Sequence, residues 1–201
     1  MSDPHPATLL DLLNISSLPA QPWKNGGGTT REILCSPKNS DYEHFDWRIS
    51  LAQVQTSSNF SHFPGIDRHI LLIEGDNMQL IHDKHIHVLH PFQPYAFAGE
   101  DKMACLLPLG PTLDLNLMLR RGRAQGSLQA WQGRNAPMTL AAGTHFLYAP
   151  QGGYQLQADT HRWTLDAEQA LTGRTSAPLS LQLQAEHTAA PLVYAYIAPT
   201  E

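Results

Sequence analysis

The stretch PWKNGGGTTREI, Pro22 to Ile33, sets three consecutive glycines between a Trp-Lys-Asn lead and two β-branched threonines. A phosphate loop of the Walker type carries its lysine and a hydroxyl residue after the last glycine and opens a helix. Here Lys24 precedes the glycines, and Thr29-Thr30 follow them. A dinucleotide-binding fingerprint fails as well, because Arg31 stands where the third glycine belongs and the segment runs into a strand pattern. Asn25-Gly26 instead offers the positive φ that a tight hairpin turn needs. The stretch therefore reads as a turn that feeds a strand.

The same alternation continues outward. Apolar or alternating runs bounded by Gly, Pro, Asn or Asp predict strands at Thr29 to Cys35, Trp47 to Val54, His69 to Glu74, Met78 to His82, His85 to His90, Met103 to Leu109 and Leu113 to Arg120. Further strands are predicted at Ser127 to Trp131, Met138 to Leu140, His145 to Ala149, Tyr154 to Gln157, Arg162 to Leu165, Leu179 to Ala185 and Leu192 to Ile197. Thr8 to Asn14 fits either one short helical turn or a lead-in strand. Helical periodicity is otherwise almost missing, so the chain is all-β, of sandwich or barrel type. This many short strands divides into two halves. The Gly110-Pro111 turn predicts the seam, giving an N-terminal half over residues 1–110, with a lead-in over 1–21, and a C-terminal half over 111–201.

At 201 residues with 42% hydrophobic and 15% charged side chains, the chain can bury a core and is not a disordered polymer. A formal charge of -5 without a long basic run argues against a nucleic-acid partner. Two cysteines, Cys35 and Cys105, make no disulfide framework and fit a reducing compartment. The N-terminus lacks a basic region before its interrupted apolar run, and no stretch approaches spanning length, which predicts a cytoplasmic protein away from membranes.

Four segments in order, WKNGGGTTREI, FDWRISLAQV, FSHFPGIDRHILLIEGD and GPTLDLNLMLRRG, resemble the HutD/Ves family of cupin-like proteins from Trp23 to Gly122. The resemblance implies a bicupin, two jelly-roll barrels in one chain sharing a core. For the HutD branch it implies a link to histidine utilisation and a regulatory role through a bound metabolite such as formylglutamate. A metal-binding cupin carries H-x-H-x(3,4)-E-x(6)-G. Aligned on Gly75, that template puts Arg68 at the glutamate position and Ser61 and Phe63 at the histidine positions; with the shorter spacing His62 and Pro64 fall there. A guanidinium repels a divalent ion, so the expectation is no metal and no cofactor.

The guanidinium of Arg68 suits a carboxylate bidentately. Strand parity puts Arg48 and Ser50 on one face, and sets Asp114 and Asn116 opposite Leu113, Leu115, Leu117 and Leu119. Glu32 and Asp114 are the acids available to balance two arginines. Such charges either form internal ion pairs or line a pocket, and the family resemblance favours the pocket. Its expected ligand-binding residues are Trp23, Asn25, Thr30, Glu32, Arg48, Ser50, Ser61, Phe63, Arg68, Asp114 and Asn116. Lys24 reads as an exposed turn residue, and His82, His85, His87 and His90 as a surface hairpin rather than a metal site. No G-x-S-x-G or activated thiol supports nucleophilic catalysis, so no catalytic residue is assigned. The leading expectation is a non-enzymatic protein that binds a small carboxylate, formylglutamate or a related acid, with a homodimer compatible with the sequence. The alternatives are a metal-independent isomerase or lyase using Glu32 or Asp114 as base, and a structural or interaction module.

Overall fold

The structure is a computed structural model that describes residues 9–132, 135–186 and 191–199. Every regular element among them is a strand. In the first part these are β1 (Leu9–Asn14), β2 (Ala20–Pro22), β3 (Gly28–Ser36), β4 (Trp47–Val54), β5 (Ser58–Asn59), β6 (Ile66–Glu74), β7 (Met78–His82), β8 (His85–Leu89), β9 (Pro94–Ala98) and β10 (Met103–Leu106). There follow β11 (Thr112–Arg120), β12 (Ala124–Trp131), β13 (Pro137–Leu140), β14 (Gly143–Ala149), β15 (Tyr154–Ala158), β16 (His161–Leu165), β17 (Gln169–Thr175), β18 (Leu179–Ala185) and β19 (Leu192–Pro199). The all-β class read from alternation is thus the observed one. No helix among the described residues is long and apolar enough to cross a membrane.

The chain forms two compact units. The central unit spans Leu18–Gln129, and the terminal unit joins the segment up to Ser17 with Ala130–Pro199. The central unit holds a six-stranded sheet, in order β2-β3-β4-β11-β6-β9, and a four-stranded sheet, β5-β10-β7-β8. The terminal unit holds four strands paired in the order β1-β17-β14-β19 and a four-stranded sheet, β13-β18-β15-β16, and the boundary between the units falls within β12. The division expected at Gly110-Pro111 is therefore displaced. The strand after that turn, β11, lies between β4 and β6 and pairs antiparallel with both, so it belongs with the residues that precede it. The lead-in is a strand, not a helical turn: β1 pairs with β17 from Leu9↔Arg174 to Asn14↔Gln169.

Each unit has its core between its own two sheets. In the terminal unit Leu10, Leu147, Ala149, Leu171, Leu192 and Tyr194 of one sheet meet Met138, Leu140, Tyr154, Leu156, Leu165, Leu181 and Leu183 of the other. In the central unit Ala52, Val54, Ile70 and Leu72 meet Met78, Leu80, Leu89, Met103 and Cys105. A second cluster of Phe45, Ile66 and Met118 packs with Phe63. Between these two central clusters the inward face of the six-stranded sheet is polar.

Candidate functional site

The glycine-rich stretch does make a hairpin, joining β2 to β3, with Trp23 N–H donating to the Gly28 carbonyl at 2.9 Å and Gly26 N–H to the Trp23 carbonyl at 3.0 Å. Of the two expected turn positions only Gly26 takes positive φ, at +70°. Asn25 serves by its side chain instead, whose Oδ1 accepts from Gly27 N–H at 3.0 Å. Gly28 is required by close approach: a Cβ there would sit 2.3 Å from the Gln53 carbonyl oxygen and 3.1 Å from the Trp23 ring. The turn thereby lays the indole of Trp23 back along β3, where its Nε1–H donates to Thr30 Oγ1 at 2.7 Å.

Antiparallel register places the polar side chains. Across the six-stranded sheet Arg48 of β4 lies opposite Met118 of β11, Met118 opposite Arg68 of β6, and Arg68 opposite Phe97 of β9. The two arginines are thus two strand spacings apart, about 10 Å between Cα atoms. The next row sets Ser50 opposite both Glu32 and Asn116. Beyond it, Asp114 pairs with Ala52 and Leu72.

The two guanidiniums are treated differently. Arg48 is fully engaged: Nε donates to Glu32 Oε2 at 2.8 Å, Nη1 to Ser50 Oγ at 3.1 Å and Nη2 to the Tyr42 hydroxyl at 3.3 Å. Its Cζ also sits 4.8 Å above the Tyr42 ring. Glu32 keeps 44% of its side chain exposed, so this pair is anchored at the rim. Arg68 is 6% exposed and has no carboxylate on it. Nη2 donates to Asn116 Oδ1 at 2.9 Å, Nη1 reaches the Ser61 carbonyl at 3.5 Å, and Nε has no partner. Its Cζ is sleeved by the rings of Phe60, Phe63 and Phe97 at 5.0, 5.7 and 4.9 Å. Ring faces attract a cation, which keeps the charge tolerable without neutralising it.

Asn116 relays Arg68 to an acid, its Nδ2 donating to Asp114 Oδ1 in a short contact. Asp114 is 1% exposed, and its Oδ2 has no hydrogen-bond partner. Burial pushes the Asp114 carboxyl up to about 7, against the opposing pull of Arg68 and Asn116. Burial brings Arg68 down to about 10, Asp114 acting against that and Arg48 adding to it, so Arg68 is still a cation at neutral pH.

All these groups face one cavity of about 680 Å³ within the central unit. All eleven residues expected from sequence line it, from Trp23 and Asn25 on the hairpin to Asp114 and Asn116 on β11, and Lys24 joins them at the turn. Sequence reasoning missed Tyr42, Phe60 and Cys105, which also line it. Tyr42 lies in the loop before β4, where no period exists to place it. Phe60 stands beside Ser61 at the head of one of the four family segments, and its ring meets Phe97 edge-on at 5.7 Å between centroids.

The cupin fold commonly hosts a divalent metal, but this cavity does not fit one. The template positions carry Arg68, Ser61 and Phe63, and the amide oxygen of Asn116 already accepts from Arg68. On the β7–β8 hairpin His82 pairs in register with His85, and His87 stacks on Tyr95 at 4.2 Å. Among the described residues no three His, Cys, Asp or Glu side chains come together as a metal-binding group.

Comparison with known proteins agrees with the all-β, cupin-like fold. A 21.2 kDa protein from the region 3' of hutC in Pseudomonas putida is 37% identical over 141 residues, covering 70% of this chain and 73% of that protein. Protein Ves of Citrobacter koseri is 36% identical over 122 residues, covering 60% of this chain and 63% of its own length. The structure of HutD from Pseudomonas fluorescens SBW25, obtained in a formate condition, superposes with a TM-score of 0.81 at 26% identity, covering 96% of this chain and all of that one. A conserved-barrel cupin protein from Leptotrichia buccalis matches in fold alone, with a TM-score of 0.57 at 9% identity, covering the full length of both chains. The HutD family model matches residues 15–191. The chain, an all-β protein of cupin-like fold, therefore belongs to the HutD family.

Proposed function

We propose that this protein binds a small carboxylate in the central cavity and acts as a metabolite sensor or regulator in histidine utilisation, with formylglutamate or a closely related acid as ligand. One observation carries this reading: Arg68 is a buried cation with a free Nε and no carboxylate partner, facing a cavity of about 680 Å³. A buried guanidinium left in this state is unfavourable on its own and becomes favourable when an anion supplies the second half of a fork-to-fork pair. The neighbouring Arg48, whose three nitrogens are each engaged by Glu32, Ser50 or Tyr42, forms the adjoining wall. The position of one relative beside hutC and the formate condition used for another agree with an acid from that pathway.

Titration calorimetry with formylglutamate, urocanate, glutamate and formate tests the reading. Saturable heat with at least one of them and no product formed is the expected result. Heats that are unchanged in Arg68→Ala would remove the proposed anchor.

A further inference from the structure

The cavity contains a second group that the carboxylate reading leaves unused. Asp114 is buried at the foot of the site, one Asn116 side chain away from Arg68, and only one of its oxygens is satisfied. In the free protein its negative form is the nearest counter-charge to Arg68. A ligand carboxylate arriving at Arg68 would put two anions against one cation in a desolvated space. Like charges that close do not both stay ionised. The proton has one place to go, the free Oδ2.

We propose that Asp114 couples binding to proton uptake: when a carboxylate occupies Arg68, Asp114 takes one proton from solvent onto Oδ2, and that O–H donates a hydrogen bond to the incoming anion. This rests on the carboxylate reading of the cavity and adds its regulation. The acid form changes Asp114 from a repelling acceptor into a donor, and Asn116 stays in place because its Nδ2–H still donates to Oδ1. Among the described residues Asp114 is the one buried carboxylate lining this space, and Lys24 and Tyr42 also line it, from the β2–β3 turn and the loop before β4. Arg68 from β6 and Arg48 from β4 are already charged, and Glu32 from β3 is held by Arg48 at the more exposed rim. Burial pushes the Cys105 thiol of β10 up, so it stays neutral. β5 offers Ser58 and Asn59, and β7 packs through Met78 and Leu80, none of which titrates. An ordinary carboxylate would be fully ionised at pH 7 and would have to be forced to accept a proton. Burial has already brought Asp114 to the threshold.

Calorimetry of the wild-type protein with glutarate and with formate, in buffers of different ionisation enthalpy, counts protons without any mutation. The expected result is uptake approaching one proton per ligand at pH 8, falling toward zero by pH 6, with affinity dropping about tenfold per pH unit above 7. Asp114→Asn keeps an acceptor for Asn116 and supplies a permanent N–H donor, so its affinity should be flat from pH 6 to 8 with no proton taken up. Binding without proton uptake, or uptake that persists in Asp114→Asn, overturns the proton coupling and leaves the carboxylate site standing. If neither acid binds at pH 6 or pH 8, both the site and its coupling are wrong.

Discussion

The two units of this chain use the same device, a pair of antiparallel sheets facing each other, and fill the space between them in opposite ways. In the terminal unit the facing side chains are leucines, Met138, two alanines and two tyrosines that close on one another. Its buried His145 is satisfied on both ring nitrogens, by the Tyr194 hydroxyl at 3.0 Å and by the Ala141 carbonyl at 2.9 Å with Thr175 Oγ1 at 3.0 Å. Burial holds its pKa down, so it is a neutral structural group. In the central unit the equivalent space receives Arg48, Ser50, Arg68, Asp114 and Asn116, with Arg68 Nε and Asp114 Oδ2 left over. Architecture therefore does not decide whether a barrel is a core or a cavity. A network with every polar atom paired rigidifies, whereas one with atoms to spare is arranged for something else.

The strongest way to break this contrast is to exchange the two interiors. Leu156→Arg places an unpaired charge in the filled core, where Leu156 is fully buried, and should cost well over ~5 kcal/mol, leaving no cooperative thermal transition. Folded Leu156→Arg protein would mean that the terminal interior is not close-packed.

The second test uses pH. Because the folded-state pKa of Asp114 lies above its unfolded value of 3.8, the native state binds this proton more tightly than the unfolded chain. That contribution is fully present below pH 4 and is lost as pH rises to about 7. His69 and His145, both held down by burial, titrate with the opposite sign in an overlapping window, so the difference between wild type and Asp114→Asn is the clean measure. Chemical denaturation should show wild type losing up to about 4 kcal/mol relative to Asp114→Asn between pH 4 and pH 7. A constant difference would mean that Asp114 stays ionised throughout.

Third, Arg68→Met removes a buried charge without emptying the sleeve of phenyl rings. In the absence of ligand it leaves Asn116 Oδ1 without its donor and should cost no more than about 1–3 kcal/mol, while carboxylate binding is lost. A large destabilisation would make Arg68 a structural tie and the two interiors alike. Smallest is Trp23→Phe, which keeps the wall and deletes the bond to Thr30, at about 1 kcal/mol in thermal or urea unfolding.

Much of this contrast was legible in the chain, and its gaps have physical causes. Trp47–Val54, Met78–His82 and Leu179–Ala185 match the observed strands end for end: Leu179–Ala185 alternates without a break, Asn77 and Asp83 mark both ends of Met78–His82, and Asp46 marks the start of Trp47–Val54. β17 was missed since Gly173 interrupts its pattern, and β9 since it starts on a proline and its remaining residues are all apolar, with no polar positions to show a period. Parity alone put Arg48 with Ser50 and Asp114 with Asn116 on shared faces, and register then gathered them. Local pattern could not show that Glu32 would saturate Arg48 and leave Arg68 unpaired, because that outcome depends on which strands become neighbours across 48 positions of chain between Arg68 and Asn116. The misplaced seam has the same origin: a turn signal marks where a strand ends, not which sheet the next one enters.

The indole of Trp23 gives the molecule an optical consequence. Among the cavity-lining residues it is the single tryptophan, held at the wall by Thr30 and positioned against Gly28. Its emission depends on the polarity of that wall, so a ligand that displaces water there reports its own arrival without a dye. Substituting Trp47, Trp131 and Trp163 with phenylalanine would isolate that signal and give a fluorescence titration for screening acids.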